Sequence, residues 1–281
     1  MIILNETEVE FNSFPNGETQ LLHDELDIRM FNNIFFKYEN DGDLIKLMFL
    51  KKFMNGQCRN KDWNRLVISY MPYSRMDRSE DGSPFTLKYV TEFINSLDFS
   101  EVIIIEPHSD VTLALLDFAK AKYVNFNLVP DVMENMEFDI EKDYIFFPDA
   151  GAAKRYHSLK GYKTLVGHKE RDFKTGEIKS LKVVGDVDSI PGGAKVLIID
   201  DLSSYGGTFV HSAIALYELG FSTVNLLVAH AENSIFKGKL FDNVDKVYTT
   251  DSILTARLWA DSYVDAGQLK IYKLKQWDDV E

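Results

Sequence analysis

The chain has one cysteine, Cys58, in 281 residues. A single thiol excludes an intrachain disulfide and gives no metal-ligand spacing, so any metal here is a hard ion held by oxygen atoms or a histidine. Cys58 itself reads as a buried or inert thiol. No apolar run reaches the ~18 residues of a spanning helix, and "MIILNETEVE" lacks the basic start and long apolar core of a signal peptide. These absences set the expectation of a cytoplasmic protein with no membrane partner. Positive charge is scarce as well: 31 Lys and Arg face 44 Asp and Glu, a net charge of -13. Nucleic acid demands a basic surface and is therefore not an expected partner, whereas a small phosphorylated ligand needs only a local positive pocket. P-loop and GxGxxG patterns are absent. The acidic runs "ENDGD" (39–43) and "DDVE" (278–281) read as solvated surface.

What the chain does have is 45% hydrophobic content and a length that favours two domains over one. Short apolar runs recur at 66–71, 102–106, 144–149, 164–168, 196–200, 224–230 and 246–250, with helix-like segments between them. That alternation predicts a parallel α/β sheet, and the unbroken hydrophobicity of each run predicts burial on both faces. There is also an internal echo. "LDFSEVIIIEPH" (97–108) aligns without a gap on "LGFSTVNLLVAH" (219–230), sharing Leu, Phe, Ser, Val and the closing His. Either two helix-to-strand corners look alike by chance, or the chain is two related α/β domains in tandem. The second reading places domains at 1–130 and 131–281.

In open α/β sheets ligands bind at the carboxyl ends of parallel strands. After the run at 196–200 comes "DDLSSYGGT". Its carboxylates, Asp200 and Asp201, precede backbone amides at Ser203, Ser204, Tyr205, Gly206 and Gly207 and the hydroxyl of Thr208. Such amides can form an anion nest, and a helix starting near Thr208 adds its positive end. An ordinary turn with a Ser/Thr helix cap is the competing reading.

"VLIIDDLSSYGGT" resembles the phosphoribosyl-diphosphate signature of the type I phosphoribosyltransferase fold, usually apolar residues, Asp-Asp, two variable residues and Asp-Thr-x-Gly-Thr. Further stretches, in family order, are similar to the ribose-phosphate diphosphokinases. "FPNGE" (14–18) resembles a Phe-x-Asp/Asn-Gly-Glu loop that holds adenine across a subunit boundary, which implies Phe14, Asn16 and Glu18 at ATP and a homo-oligomer. "MPYSRMDR" (71–78) resembles an ATP-site segment, implying Arg75, Asp77 and Arg78, with Met76 where the family has glutamine. "IIEPHSD" (104–110) and "FPDAGAAKR" (147–155) place His108 and Asp149 on the family's magnesium ligands, His108 also at ATP and Asp149 also at the ribose phosphate. "GHKER" (167–171) resembles the start of a catalytic loop and implies catalytic Lys169 and Arg171.

The resemblance implies a fold of two tandem phosphoribosyltransferase-like domains, each a mainly parallel sheet flanked by helices. The first would carry the ATP site and subunit contacts, the second the ribose-phosphate loop and catalytic loop. It also implies a magnesium-dependent transferase that moves the β,γ-diphosphate of ATP to the anomeric hydroxyl of a ribose 5-phosphate-type acceptor. Asp200 and Asp201 would hold the ribose hydroxyls.

Two departures matter. "SYGGT" stands where the family has Asp-Thr-x-Gly-Thr, which points to a larger acceptor such as ADP-ribose, whose 1-diphosphate would serve NAD synthesis. "SEDGSP" (79–84) stands where the family is rich in Lys and Arg. Bland readings remain beside these: His108 as a strand-end cap, Lys169 and Arg171 as solvated loop charges, Phe14 as core. A catalytically silent regulatory paralogue and a phosphoribosyltransferase joining a base to the sugar are the alternative functions.

Overall fold

The chain folds into two compact units, Met1–Tyr123 and Val124–Glu281. A computed structural model describes residues 1–57, 63–171, 178–255 and 257–274, the side chains of 169–171, 178–180 and 257–259 excepted. Cys58 and the acidic run at 278–281 lie outside the described residues.

The first unit comprises β1 (Ile2–Leu4), β2 (Thr7–Glu8), β3 (Phe11–Ser13), β4 (Thr19–Leu21), β5 (Phe31–Phe36), α1 (Gly42–Gln57), β6 (Trp63–Ile68), α2 (Thr86–Asn95), β7 (Glu101–Ile105), α3 (Asp110–Leu115) and β8 (Ala119–Lys122). Its six-stranded sheet runs β2-β1-β5-β6-β7-β8, with β3 and β4 forming a separate hairpin. Strands β5 to β8 are parallel, while β1 is antiparallel to both its neighbours. Leu47, Leu50 and Met54 of α1, and Leu87, Val90 and Ile94 of α2, recur at helical spacing and are buried against Ile34, Leu66, Ile68 and Val102.

The second unit comprises α4 (Val124–Asn135), β9 (Tyr144–Phe147), α5 (Ala150–Arg155), β10 (Lys163–Arg171), β11 (Ile178–Val184), β12 (Lys195–Ser203), α6 (Gly207–Glu218), β13 (Thr223–Ala231), a 3-10 turn (Asn233–Lys237), α7 (Leu240–Asn243), β14 (Lys246–Thr250), α8 (Arg257–Asp265) and β15 (Leu269–Tyr272). The seven-stranded sheet runs β11-β10-β9-β12-β13-β14-β15. All its pairings are parallel except β10 with β11.

Strand β12 shows why the apolar runs are unbroken. Val196 and Ile198 pack with Phe209, Ala213 and Leu216 of α6, while Leu197 and Ile199 pack with Leu128, Val129 and Val132 of α4 on the other face. Successive strand side chains point to opposite faces, so a strand covered on both sides must be apolar at every position. Position 130, where a domain boundary was expected, lies inside α4 at Pro130. Burial of Leu128, Val129 and Val132 outweighs the helix-breaking tendency of the ring.

The internal echo has a structural counterpart. Strands β7 and β13 each follow a helix and lie beside β6 and β12 respectively. Phe99 and Phe221 are both buried, and Ser100 N donates to Asn64 O at 2.9 Å as Ser222 N donates to Ala194 O at 2.8 Å. Asp98 and Gly220 both take positive φ, 56° and 100°. The closing histidines differ: His230 is buried within β13, whereas His108 sits half-buried in the loop after β7.

At Gly220 a Cβ would meet no atom within 4 Å, so a side chain there costs backbone strain alone. Gly220→Ala is expected to destabilise the protein by about 1–2 kcal/mol, with Asp98→Gly staying within about 1 kcal/mol of wild type. Urea unfolding of the two variants checks both values.

Candidate active site

The loops that follow parallel strands carry the residues in question, and each unit contributes its own set. In the first unit the "FPNGE" stretch is the tip of the β3–β4 hairpin. Phe14 N donates to Glu18 O at 2.8 Å, and Gly17, at φ 88°, donates to Phe14 O at 2.8 Å. Asn16 Nδ2 reaches Glu18 Oε2 at 2.8 Å, and Glu18 N returns a bond to Asn16 Oδ1 at 3.2 Å. This closed polar tip leaves Phe14 50% exposed, so the core reading of that side chain fails.

The "MPYSRMDR" segment leaves β6. Met71 and Pro72 are buried, whereas Arg75, Met76 and Arg78 are exposed. Arg78 Nε lies 3.3 Å from both Asp77 Oδ1 and Glu80 Oε1, so its guanidinium sits among carboxylates. Tyr73 takes a φ of 62° and donates its hydroxyl to Asp41, which also accepts from Tyr38 at 2.6 Å. The two phenols hold the Asp41 carboxyl below its ordinary range, and its charge with burial pushes the Tyr38 hydroxyl up. This three-residue clamp fixes a strained turn in the middle of the segment. His108 lies between β7 and α3, next to Glu106 and Pro107, both buried.

In the second unit Asp149 ends the β9 strand-to-helix turn, and its Oδ1 caps α5 by accepting from Ala152 N at 3.0 Å. Gly167 of the "GHKER" stretch passes close by: a Cβ there would lie 2.7 Å from Pro148 O. Lys169 and Arg171 are carried on β10, in register with Leu181 and Ile178 of β11. They belong to a strand rather than a loop as far as residue 171.

The aspartate pair departs from expectation in one respect. Strand β12 does not stop at Asp200; it runs on to Ser203, pairing Leu202 with His230 and Ser203 with Ala231 of β13. Ser203 is buried, its Oγ has no hydrogen-bond partner among the described residues, and its carbonyl accepts from Glu232 N at 2.9 Å. The turn thus begins at Ser204, and the Ser203 hydroxyl does not line it.

Alternation would send two neighbouring strand side chains to opposite faces. Arg155, in the last turn of α5, gathers them: its Nη1 is 2.9 Å from Asp201 Oδ1 and 3.5 Å from Asp200 Oδ1. The guanidinium is 12% exposed and the carboxylates 13% and 6%. Asp200 Oδ1 also accepts from Asp201 N at 2.9 Å, and Asn125 of α4 donates to the Asp200 carbonyl at 2.8 Å. Burial first, then the Asp201 and Asp149 carboxylates, push the Asp200 carboxyl well above its ordinary range. Arg155 was quoted in the sequence motif but given no task. The signal was the family arginine closing "FPDAGAAKR", six residues past an aspartate.

Beyond Ser204 the turn rises to Tyr205, 60% exposed, and Gly206 at φ 78°, where helix α6 begins with no side-chain cap. Gly207 is exposed and Thr208 half-buried in its first turn. The first amides of a helix have no intrahelical acceptors, so this end can receive an anion. The loop after β13 packs behind it. A Cβ on Gly238 would lie 2.3 Å from Tyr205 O, and one on Gly206 would lie 2.9 Å from Leu240 Cβ.

Among the described residues no three His, Cys, Asp or Glu side chains converge to hold a metal. Magnesium bound through one or two protein ligands, with phosphate oxygens and water completing the shell, does not require such a cage. Asp149 in the second unit, and separately His108 in the first, are donors of the kind it takes.

No protein-family model matches the chain. The ribose-phosphate pyrophosphokinase of Sulfolobus acidocaldarius is 26% identical over 266 residues, covering 90% of this chain and 87% of the relative. That of Thermococcus kodakarensis is 28% identical over 257 residues, covering 88% and 86%. The crystal structure of phosphoribosylpyrophosphate synthetase from Mycobacterium smegmatis superposes with a TM-score of 0.72 at 18% identity, covering 96% of this chain and 87% of that one. The fold, two mainly parallel sheets flanked by helices, is therefore that of this phosphoribosylpyrophosphate synthetase structure. Over most of its length the chain is similar in sequence to ribose-phosphate pyrophosphokinases, at 26% and 28% identity to the two relatives above. Among the described residues no helix is long and apolar enough to cross a membrane.

The raised Asp200 carboxyl makes a stability prediction. Its charged form is disfavoured by the fold, so the cost is absent below the unfolded value of ~3.9, grows as pH rises toward the folded value and is constant above it. Asp200→Asn keeps an oxygen for Asp201 N and removes the charge. It is expected to raise the melting temperature at pH 7 relative to wild type, with the difference shrinking toward pH 4. Thermal denaturation across that range checks the sign.

Proposed function

We propose that the chain is a magnesium-dependent diphosphokinase that transfers the β,γ-diphosphate of ATP to the anomeric hydroxyl of a ribose 5-phosphate-type acceptor. The observation that carries the reading is the Arg155-bridged pair Asp200 and Asp201, set at the end of a buried strand and followed by an uncapped helix N-terminus. Carboxylates accept from sugar hydroxyls, and the helix end and glycine turn suit the phosphate at the other end of the same sugar.

Each residue then has a task in a reaction that depends on positioning and charge neutralisation. Asp200 and Asp201 orient the ribose through its hydroxyls, and Arg155 keeps both carboxylates from repelling one another out of place. The amides of Tyr205 to Gly207, with Thr208, receive the 5-phosphate. Lys169 and Arg171 supply positive charge to the diphosphate in flight, and Phe14, Asn16, Glu18, Arg75, Asp77, Arg78 and His108 serve the nucleotide. Magnesium ions, for which Asp149 and His108 are each a candidate ligand, would neutralise phosphate oxygens. In a homo-oligomer the exposed Phe14 would meet adenine of a neighbouring subunit.

The acceptor is the open choice within this reading, and Tyr205 favours the larger one. A phenol 60% exposed at the turn offers a stacking surface to a chain that continues past the phosphate, as in ADP-ribose, and adds no small donor for a terminal phosphate. Incubation with ATP, magnesium and either acceptor, with products identified by mass, is expected to yield ADP-ribose 1-diphosphate in preference to phosphoribosyl diphosphate. Conversion of ribose 5-phosphate alone would overturn the acceptor choice, and conversion of neither would favour a silent regulatory paralogue. Tyr205→Ala is expected to lower kcat/KM for ADP-ribose about tenfold, the loss of one ~1–3 kcal/mol stacking contact, with ribose 5-phosphate turnover nearly unchanged.

A further inference from the structure

The turn that would receive the acceptor's 5-substituent contains a hydroxyl that is already committed. Ser204 Oγ donates to Glu232 Oε2 at 2.7 Å and lies 3.1 Å from Ser234 Oγ, which itself reaches Glu232 Oε2 at 3.2 Å. Glu232 follows β13, is half-buried, and has its backbone amide bound to Ser203 O at 2.9 Å. The carboxylate is thus built into the wall of the turn by a main-chain bond and two hydroxyls. A serine hydroxyl has a single proton to donate. While Glu232 holds it, the Ser204 hydroxyl presents only acceptor lone pairs, and a phosphate oxygen finds no donor in that side chain.

We propose that Glu232 determines acceptor specificity by withholding the Ser204 hydroxyl from a terminal phosphate, and so selects phosphate diesters of ribose over ribose 5-phosphate. The proposal rests on the turn being the 5-substituent site. A phosphomonoester bears about 1.5 to 2 negative charges near neutral pH and three terminal oxygens that each seek donors. A diester linkage has fewer such oxygens and tolerates a wall that only accepts. A carboxylate in that wall also suits hydroxyl groups carried further along the larger acceptor. Ser204 and Glu232 act as one unit: neither substitution alone reproduces what the pair does.

The test is equilibrium binding of ribose 5-phosphate and of ADP-ribose, by titration calorimetry, to the wild-type chain, Glu232→Ala, Glu232→Gln, Ser204→Ala and the Ser204→Ala/Glu232→Ala double variant. Freeing one hydroxyl to a phosphate oxygen is expected to tighten ribose 5-phosphate binding about tenfold in Glu232→Ala, with no gain for ADP-ribose. That gain should vanish in the double variant, a coupling that a merely structural glutamate would not show. Glu232→Gln keeps an acceptor for Ser204 and should gain less than Glu232→Ala. If Glu232→Ala does not fold, Glu232→Gln must still shift the ratio of the two affinities toward ribose 5-phosphate. Unchanged ribose 5-phosphate affinity, or a gain that survives in the double variant, overturns the proposal. Binding shifts without any turnover would sink the proposed reaction while leaving the role of Glu232 standing.

Discussion

Two adjacent carboxylates at the buried end of a strand covered on both faces repel each other and lose water, and one guanidinium makes the arrangement tolerable. Arg155 reaches both from the last turn of α5, whose first turn is capped by Asp149. A six-residue helix therefore has a carboxylate of the site at one end and its neutralising cation at the other. Removing Arg155 would leave two buried carboxylates uncompensated, a loss far greater than that of a surface pair. The Asp200 carboxyl remains strained even so, since desolvation and the neighbouring carboxylates still favour its protonated form. A ligand that donates hydroxyls to it would relieve what the fold leaves unresolved.

Much of the architecture was legible because burial on both faces forces a simple pattern. The runs at 196–200 and 224–230 had to be strands, since continuous apolar stretches of that length flanked by helices have few other solutions. The end of β12 was not legible. Asp201 and Ser203 continue the strand as polar residues, held there by pairing with β13 that no local signal announces. The boundary expected at 130 fell inside α4 for a related reason, because tertiary burial of that helix overrides the local propensity of Pro130. The antiparallel β1, β2 and hairpin strands carried no strong period, being only two or three residues long.

The site was legible where a motif names a residue and obscure where a contact gives it meaning. Asp149, Asp200 and Asp201 stand out by type and spacing. Glu232 and Asp41 do not, since each is an acidic residue in a loop of an acidic chain. Only proximity shows that one binds the Ser204 hydroxyl and the other clamps Tyr73. In the first unit this clamp does what Arg155 does in the second: it fixes a chemically costly local geometry through a residue distant in sequence.

The backing of the Tyr205 turn has a further meaning. Its carbonyl rests against Gly238, and Gly206 rests against Leu240, so the backbone of the turn is wedged from behind by contacts that leave no room for a Cβ at either glycine. The side chain at 205, by contrast, faces outward. Such a turn behaves as a fixed socket with an exchangeable lining: residue 205 is free to vary in size and chemistry while the backbone amides around it stay in place. The chemistry that the turn presents can then change through single side chains, with no remodelling of the loop that carries them.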